Sequence, residues 1–394
     1  MALLAACGAQ GSGKSDSGKS AQEAAAAKAS SAAHISIAQN GRPGGAGIST
    51  DAKVSVSDGT LTTVSVTDAR TGQTVDGKIS ADGRTWSPEK MLARATTYKV
   101  SATAKDSRNR TTTAEGTFTT VSPANSFIGT FTPEDGSTVG VGMPVSIEFD
   151  KAITNKKDVE SHIKVASTSG QQVVGHWFGD QRLDFRPQEY WKPDSTVTLK
   201  LDLDGVQGAG GITGIQNKTV TFTIGHSQVS TVDINTQTMT VVRDGKVIKT
   251  VKISGGSPDN PTYNGQMVIS EKNEKLRMDG STVGFTNTDG TPAYDIPDVP
   301  HAMRLSTSGT FIHGNYWAAK SVFGSTGTSH GCVALGDEQG GDSGTDGAWF
   351  FDNSQIGDVV IVKNSPDKTV QPDNGLNGWN MSWDAWKAGS ALKA

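Results

Sequence analysis

Short runs in which every second residue is apolar recur along most of this chain, beginning with Lys53-Val54-Ser55-Val56 and Thr63-Val64-Ser65-Val66. A period of two sends one set of side chains to a core and the other to water, the pattern of a half-buried β-strand. Glycine-containing turns separate the runs, so residues 34–122 are predicted to form an Ig-like β-sandwich. A second copy follows about one hundred residues later. Trp86-Ser87-Pro88 with Leu92, then Tyr98-Lys99-Val100, has the spacing of Phe185-Arg186-Pro187 with Trp191, then Val197-Thr198-Leu199. Phe118 likewise has its counterpart in Phe222. Residues 123–225 are therefore predicted to be a second Ig-like sandwich.

A third, β-rich unit is predicted over residues 226–364. It opens with alternating strands around Val229–Ile234 and Met239–Val242, joined onward by Arg243-Asp244-Gly245-Lys246, an Asp-Gly hairpin signal. Val359-Val360-Ile361-Val362 has the β-branched content of a buried strand, expected to close the sheet. One short helix is expected between Asp337 and Asn353, with Trp349, Phe350 and Phe351 on its buried face. Residues 365–394 form a Trp-rich C-terminal tail. The fold class expected is thus mainly β: two Ig-like sandwiches followed by a β-rich domain with a short helix.

Composition narrows the function. The chain has 394 residues, 47 glycines and a formal net charge of −4. No basic run exceeds a pair such as Lys156-Lys157, so no nucleic-acid partner is expected. No apolar run approaches the roughly twenty residues that span a bilayer. Residues 1–33 read differently. Between Gly8 and Ala33 there is no aromatic residue and no Val, Ile or Leu, so nothing offsets the entropy of ordering that backbone, and a flexible tether is expected. Leu4-Ala5-Ala6-Cys7-Gly8 has the small-residue pattern of a lipoprotein cleavage site, which makes Cys7 the expected lipidation residue. Six residues precede it, fewer than a full signal requires, so the signal is expected to be incomplete.

The second cysteine carries the chemistry. The stretch from His313-Gly314-Asn315-Tyr316-Trp317 to Ser329-His330-Gly331-Cys332-Val333 holds two of the seven histidines and one of the two cysteines. A cysteine nucleophile needs a base at hand, and His313 and His330 are available. All seven histidines precede Cys332, which excludes papain-like and NlpC/P60-like peptidases, where the histidine follows. The last arginine is Arg304, which excludes a sortase, whose arginine follows its cysteine. Gly309-Thr310-Phe311-Ile312-His313 is a β-prone run that would deliver His313 from a strand end. Gly331 beside Cys332 lets the backbone approach a substrate and leaves amides to face an oxyanion. Two other readings weigh against these. An inert buried cysteine is the usual fate of the residue type, although Ser-His-Gly-Cys makes a poor core segment. A zinc site would need an unusual His-x-Cys ligand pair, so no metal is expected. With one cysteine as anchor and one as nucleophile, no disulfide is expected.

Phe311-Ile312-His313-Gly314-Asn315 followed within about twenty positions by Ser329-His330-Gly331-Cys332-Val333-Ala334-Leu335 resembles the L,D-transpeptidase (YkuD) family. Outside the motif the chain is similar to the two-Ig-domain lipoprotein type found in actinobacteria. Met278-Asp279-Gly280-Ser281-Thr282-Val283-Gly284 resembles that family's substrate lid, and Tyr294, Ser308-Gly309 and Trp379 through Trp386 match as well. The resemblance implies a YkuD-type catalytic domain in which His313 is the base for Cys332. The Gly314 carbonyl holds its ring, amides around Gly331 and Cys332 form the oxyanion hole, and His330 shapes the site. Met278, Tyr294, Ser308, Gly309 and Ser329 are the implied substrate contacts.

The implied activity is peptidoglycan cross-linking of the 3→3 kind through a cysteine acyl-enzyme, with release of the terminal D-Ala of a donor tetrapeptide. Peptidoglycan stem peptides are the implied donor and acceptor, carbapenem β-lactams the implied inhibitors, and no cofactor is needed. The implied location is the outer face of the cell membrane, reached through the lipid anchor. An L,D-carboxypeptidase using the same residues and a non-catalytic wall-binding protein are the alternatives. Two departures from the family pattern stand out. Ala334 occupies a position where relatives carry a polar residue, and Gln207 and Gly210 stand where relatives place calcium-binding acids, so no structural metal is expected.

Overall fold

The structure is a computed structural model that describes residues 30–37, 46–48 and 52–392; Cys7 and its tether lie outside these residues. The described residues fall into two compact units, one of residues 30–37 and 52–119, the other of residues 46–48 and 120–392.

The first unit is a sandwich. Strands His34–Ile37, Val54–Ser57, Thr85–Pro88 and Gly77–Ile79 form one antiparallel sheet, and Thr60–Asp68, Thr97–Lys105 and Thr111–Thr119 form the other. The alternating apolar residues face inward as the period of two requires: Val54, Val66, Trp86, Val100 and Phe118 are all buried.

The second unit begins with another sandwich. One sheet is built from Gly129–Thr132, Val145–Phe149, Arg182–Pro187 and Val173–Phe178, the other from Thr138–Val139, Asn217–Ile224, Thr196–Asp202 and Ile163–Ser167. Phe185, Trp191 and Phe222, the residues that marked the sequence repeat, are buried in its core. The short helix Lys156–Ser161 was not expected from sequence; six residues carry too little periodicity to declare themselves.

The same unit continues into a nine-stranded sheet. Its strands are β1 (Gln228–Asp233), β2 (Thr238–Arg243), β3 (Lys246–Ser254), β4 (Gly265–Val268), β5 (Glu271–Asp279), β6 (Asp295–Arg304), β7 (Phe311–Asn315), β8 (Val333–Gly336) and β9 (Val359–Lys363). They lie in the order β4-β9-β1-β2-β3-β8-β7-β6-β5. Asp244 and Gly245 both have positive φ, 48° and 76°, so the Asp-Gly hairpin between β2 and β3 has the twist that suits right-handed strands. β9 is buried as its composition predicts, but it does not close the sheet. It runs parallel to β1 on one side and is covered by β4 on the other.

The expected helix occupies Asp346–Asp352, capped by the Thr345 hydroxyl, with Phe350 buried and Trp349 and Phe351 half-buried. A further helix, Trp383–Ala388, lies in the C-terminal segment. Here the tryptophans have partners that sequence patterning could not supply. Trp379 and Trp386 donate their indole N–H groups to the carbonyls of Gly142 and Val174, both in the sandwich that precedes the sheet. The fully buried Arg186 guanidinium sits 4.6 Å from the Trp379 ring and 4.3 Å from the Trp386 ring. Residues 365–392 are therefore a strap across this unit. Among the described residues no helix is long and apolar enough to cross a membrane.

Candidate active site

β7 and β8 are adjacent parallel strands at the middle of the sheet, with His313 opposite Ala334 and Gly314 opposite Leu335. Cys332 immediately precedes β8, so this pairing brings the two motifs to one strand edge. Their side chains line a single cavity of about 380 Å³ together with Met278, Tyr294, Trp317, Ser329 and His330. His313 is 5 % exposed and Cys332 8 %.

The His313 ring is oriented from behind. Its Nδ1–H donates to the Gly314 carbonyl at 2.8 Å, which leaves Nε2 unprotonated and able to accept a proton. Trp317 stacks on the ring with centroids 5.7 Å apart and planes at 11°. Burial lowers the proton affinity of His313 below that of a free imidazole, and the Gly314 carbonyl and the Asp337 charge partly oppose it. Burial also pushes the Cys332 thiol up to about 11. The resting pair is thus a neutral thiol and a neutral imidazole.

Around the thiol, Gly331 has φ +103°, a conformation glycine adopts without the Cβ penalty. Its N–H donates to Ser329 Oγ at 3.2 Å, and Ser329 Oγ–H donates to the Cys332 carbonyl at 2.6 Å. The Ser329 hydroxyl and the Gly331 N–H are thereby both engaged within the turn. Cys332 Sγ–H points to the Gly309 carbonyl at 3.6 Å.

Over this floor lies a hairpin lid made by β5 and β6. Met278 packs on the Cys332 cluster with Ala302 and Phe311. Val283 at the lid turn reaches Gly309: a Cβ on that glycine would stand 2.7 Å from Val283 Cγ1. The rings of Tyr294 and Phe285 flank His330 at 4.9 and 5.4 Å. Burial first, and then the neighbouring Cys332, push the Tyr294 phenol up to about 12, so it stays neutral. His330 is exposed and lines a second cavity of about 310 Å³ on the other side, shared with Ser308, Gly309 and Gly331. Ser308 is held there by Asn374 of the strap, whose side-chain oxygen accepts from the Ser308 N–H at 2.9 Å.

Of the expected site residues, Met278, Tyr294, His313, Ser329, His330 and Cys332 line the first cavity, Ser308, Gly309 and Gly331 line the second with His330, and Gly314 lines neither and meets the site through its carbonyl on His313. Ala334 is fully buried and does not line either cavity, so its side chain offers no substrate contact. Trp317 lies within the motif, but nothing in its spacing marks the stacking on His313. Asp337 and Asn374 carry no sequence signal for the site, because neither belongs to a recognisable spacing.

Residues 227–362 match the L,D-transpeptidase catalytic domain family, and residues 44–207 match the bacterial Ig domain family. L,D-transpeptidase 2 of Mycobacterium tuberculosis is 34 % identical over 350 residues, covering 88 % of this chain and 83 % of that one. L,D-transpeptidase 5 of the same species is 30 % identical over 346 residues, covering 86 % and 73 %. Among solved structures, an L,D-transpeptidase in complex with imipenem shares 28 % identity over 59 % of this chain and 97 % of its own, at a TM-score of 0.49. The chain belongs to the L,D-transpeptidase family, whose members are transferases acting on peptidoglycan.

Proposed function

We propose that this chain cross-links peptidoglycan stems by the 3→3 route, with Cys332 as nucleophile and His313 as general base. The observation that carries the reading is the His313 Nδ1–H bond to the Gly314 carbonyl, which leaves Nε2 as the unprotonated nitrogen of a ring lining the same cavity as Cys332. In the first half-reaction Nε2 takes the thiol proton as sulfur attacks the carbonyl carbon of the third stem residue. The Cys332 N–H stabilises the oxyanion, and one such donor is worth about 10²–10³ in rate. Collapse breaks the C–N bond to the terminal D-Ala, whose amine leaves with the proton from His313, and a thioester remains on Cys332. In the second half-reaction a side-chain amine of another stem attacks the thioester, gives its proton to Nε2, and the thiol is restored.

A strained β-lactam carbonyl seated at the donor position meets the same sulfur, so carbapenems are the expected inhibitors. Action on peptidoglycan places the protein outside the cytoplasm, and Cys7 is the residue proposed to carry a lipid anchor. The functional domains proposed are residues 34–122, 123–225 and 226–364. Incubating the purified protein with disaccharide-tetrapeptides and analysing products by mass spectrometry tests the reaction. Cross-linked dimer with one D-Ala released per link supports it. Tripeptide alone would assign an L,D-carboxypeptidase, and no product would leave a wall-binding role.

A further inference from the structure

We propose that Asp337, locked in place by His301, is a positioning residue that holds the backbone bearing His313 and places a carboxylate behind it. This rests on the reading of His313 as the base.

Asp337 follows β8 directly, is 7 % exposed, and its N–H donates to the Asn315 carbonyl at the end of β7. Its carboxylate accepts three hydrogen bonds: from His301 Nδ1–H at 2.7 Å, Thr345 Oγ1–H at 2.8 Å and the Glu338 N–H at 2.9 Å. A group held from three sides by a strand, a helix cap and a loop has one position. That position is against the backbone of Gly314, the residue whose carbonyl orients His313. A Cβ on Gly314 would lie 2.0 Å from Asp337 Oδ2, and one on Gly347 would lie 2.2 Å from the same oxygen. Glycines on both flanks thus clear the space that lets one carboxylate oxygen press on the catalytic strand.

His301 shows that the arrangement is imposed. It is buried, at φ +51°, in a region that few residues other than glycine occupy, although His joins Asn and Asp among the better tolerated, and its ring is tilted against Phe351 at 5.1 Å. Non-glycine residues held there within a strand mark places where the surroundings over-determine the backbone. The electrostatics point the same way. Facing His313 are the Cys332 thiol in the cavity and the Asp337 carboxylate behind the strand, and the Asp337 charge opposes the effect of burial on the His313 ring. An anion placed there favours the imidazolium that His313 becomes when it takes the thiol proton, and it need not move during the reaction.

The test uses the full chain and three substitutions, with His313→Ala as a background. Asp337→Asn removes the charge, while His301→Gln and Thr345→Val each release one hydrogen bond and keep it. The readouts are transpeptidation kcat and KM on disaccharide-tetrapeptide, the pH profile of kcat, and thermal unfolding. Asp337→Asn is expected to lower kcat at least tenfold with KM within twofold of wild type. The acid limb of its profile should move to lower pH, because His313 loses the anion that favours its protonated form. His301→Gln and Thr345→Val should lower kcat less and leave the acid limb in place. In the His313→Ala background, Asp337→Asn should have no additional effect on residual turnover. The inference is overturned if Asp337→Asn keeps wild-type kcat and pH profile, or if its effect persists in full without His313. Where Asp337→Asn does not fold, unchanged kcat in both other variants overturns it as well. Wild-type turnover in His313→Ala would sink the base reading itself, a result distinct from any of these.

Discussion

Gly309→Ala separates the two demands that the lid makes on one residue. Gly309 has φ +97°, and an L-residue held on that side of the map costs roughly 1–2 kcal/mol. The added methyl would also stand 2.7 Å from Val283 Cγ1 where ordinary contact begins at 3.4 Å, so the lid must retreat by about 0.7 Å. Val283 is half-buried at a surface turn, so the lid can move without tearing the core. The backbone cost should therefore appear as lower thermal stability and the steric cost as lower activity. A shift of about 1 Å in groups that position substrate can lose up to about 100-fold in rate. With Met278 and Tyr294 carried on the lid, a fall in kcat/KM of about tenfold or more is expected. Val283→Ala removes the clashing methyl, so the double variant should recover most of the activity while keeping the lower Tm. The assay is kcat/KM from product mass spectra for the four proteins, with calorimetry alongside. Gly309→Ala with wild-type kcat/KM, or a double variant no better than the single, would refute the reasoning.

Four further outcomes follow from buried groups. Because burial lowers His313, below the ordinary imidazole value of 6.5 the unfolded chain binds a proton that the folded chain refuses, and stability falls as pH drops; His313→Ala should flatten that acid slope in denaturant titrations. The Cys332 thiol is pushed up from 9.0 to about 11, so its stabilising contribution is complete below pH 9 and lost toward pH 11; its alkylation by iodoacetamide should still be climbing above pH 9, and a plateau by pH 7 would contradict a neutral resting thiol. Arg186→Lys keeps a charge but loses the planar stacking on Trp379 and Trp386 and the bonds to the Gly378 and Met381 carbonyls. A loss of about 2 kcal/mol and faster proteolysis within residues 365–392 are expected, against which an unchanged Tm would count. Ala334→Asn puts an amide into a fully buried position opposite His313 and Ser254, so a cost of about 1–3 kcal/mol in Tm-derived stability is expected; an equally stable variant would show unfilled space there.

The strands and the reactive pair were legible because their signals are local. Alternation in Val54–Ser57 and β1, the Asp-Gly hairpin, and Ser329-His330-Gly331-Cys332 all declare themselves within a few residues. Even the sandwich repeat is a comparison of short patterns. What escaped depends on partners far along the chain. His301 and Asp337 are 36 residues apart and look like a strand polar residue and a loop acid until the fold joins them. Arg186 and Met381 are 195 apart, so the tryptophans of the strap read as a tail. The helices at Lys156–Ser161 and Trp383–Ala388 span under two turns each and rest on packing, not on periodicity. β9 was read correctly as buried but misplaced at the sheet's boundary, because composition gives burial and not neighbours.

Whether Cys332 carries the acyl group is addressed directly by intact-protein mass spectrometry followed by peptide mapping. Wild-type protein and Cys332→Ala are each incubated with a carbapenem, digested, and the modified peptide sequenced. The account predicts one adduct per chain, on Cys332, in the wild type and none in the variant. An adduct of the same mass in Cys332→Ala, or one mapped to another residue of the wild type, would contradict it.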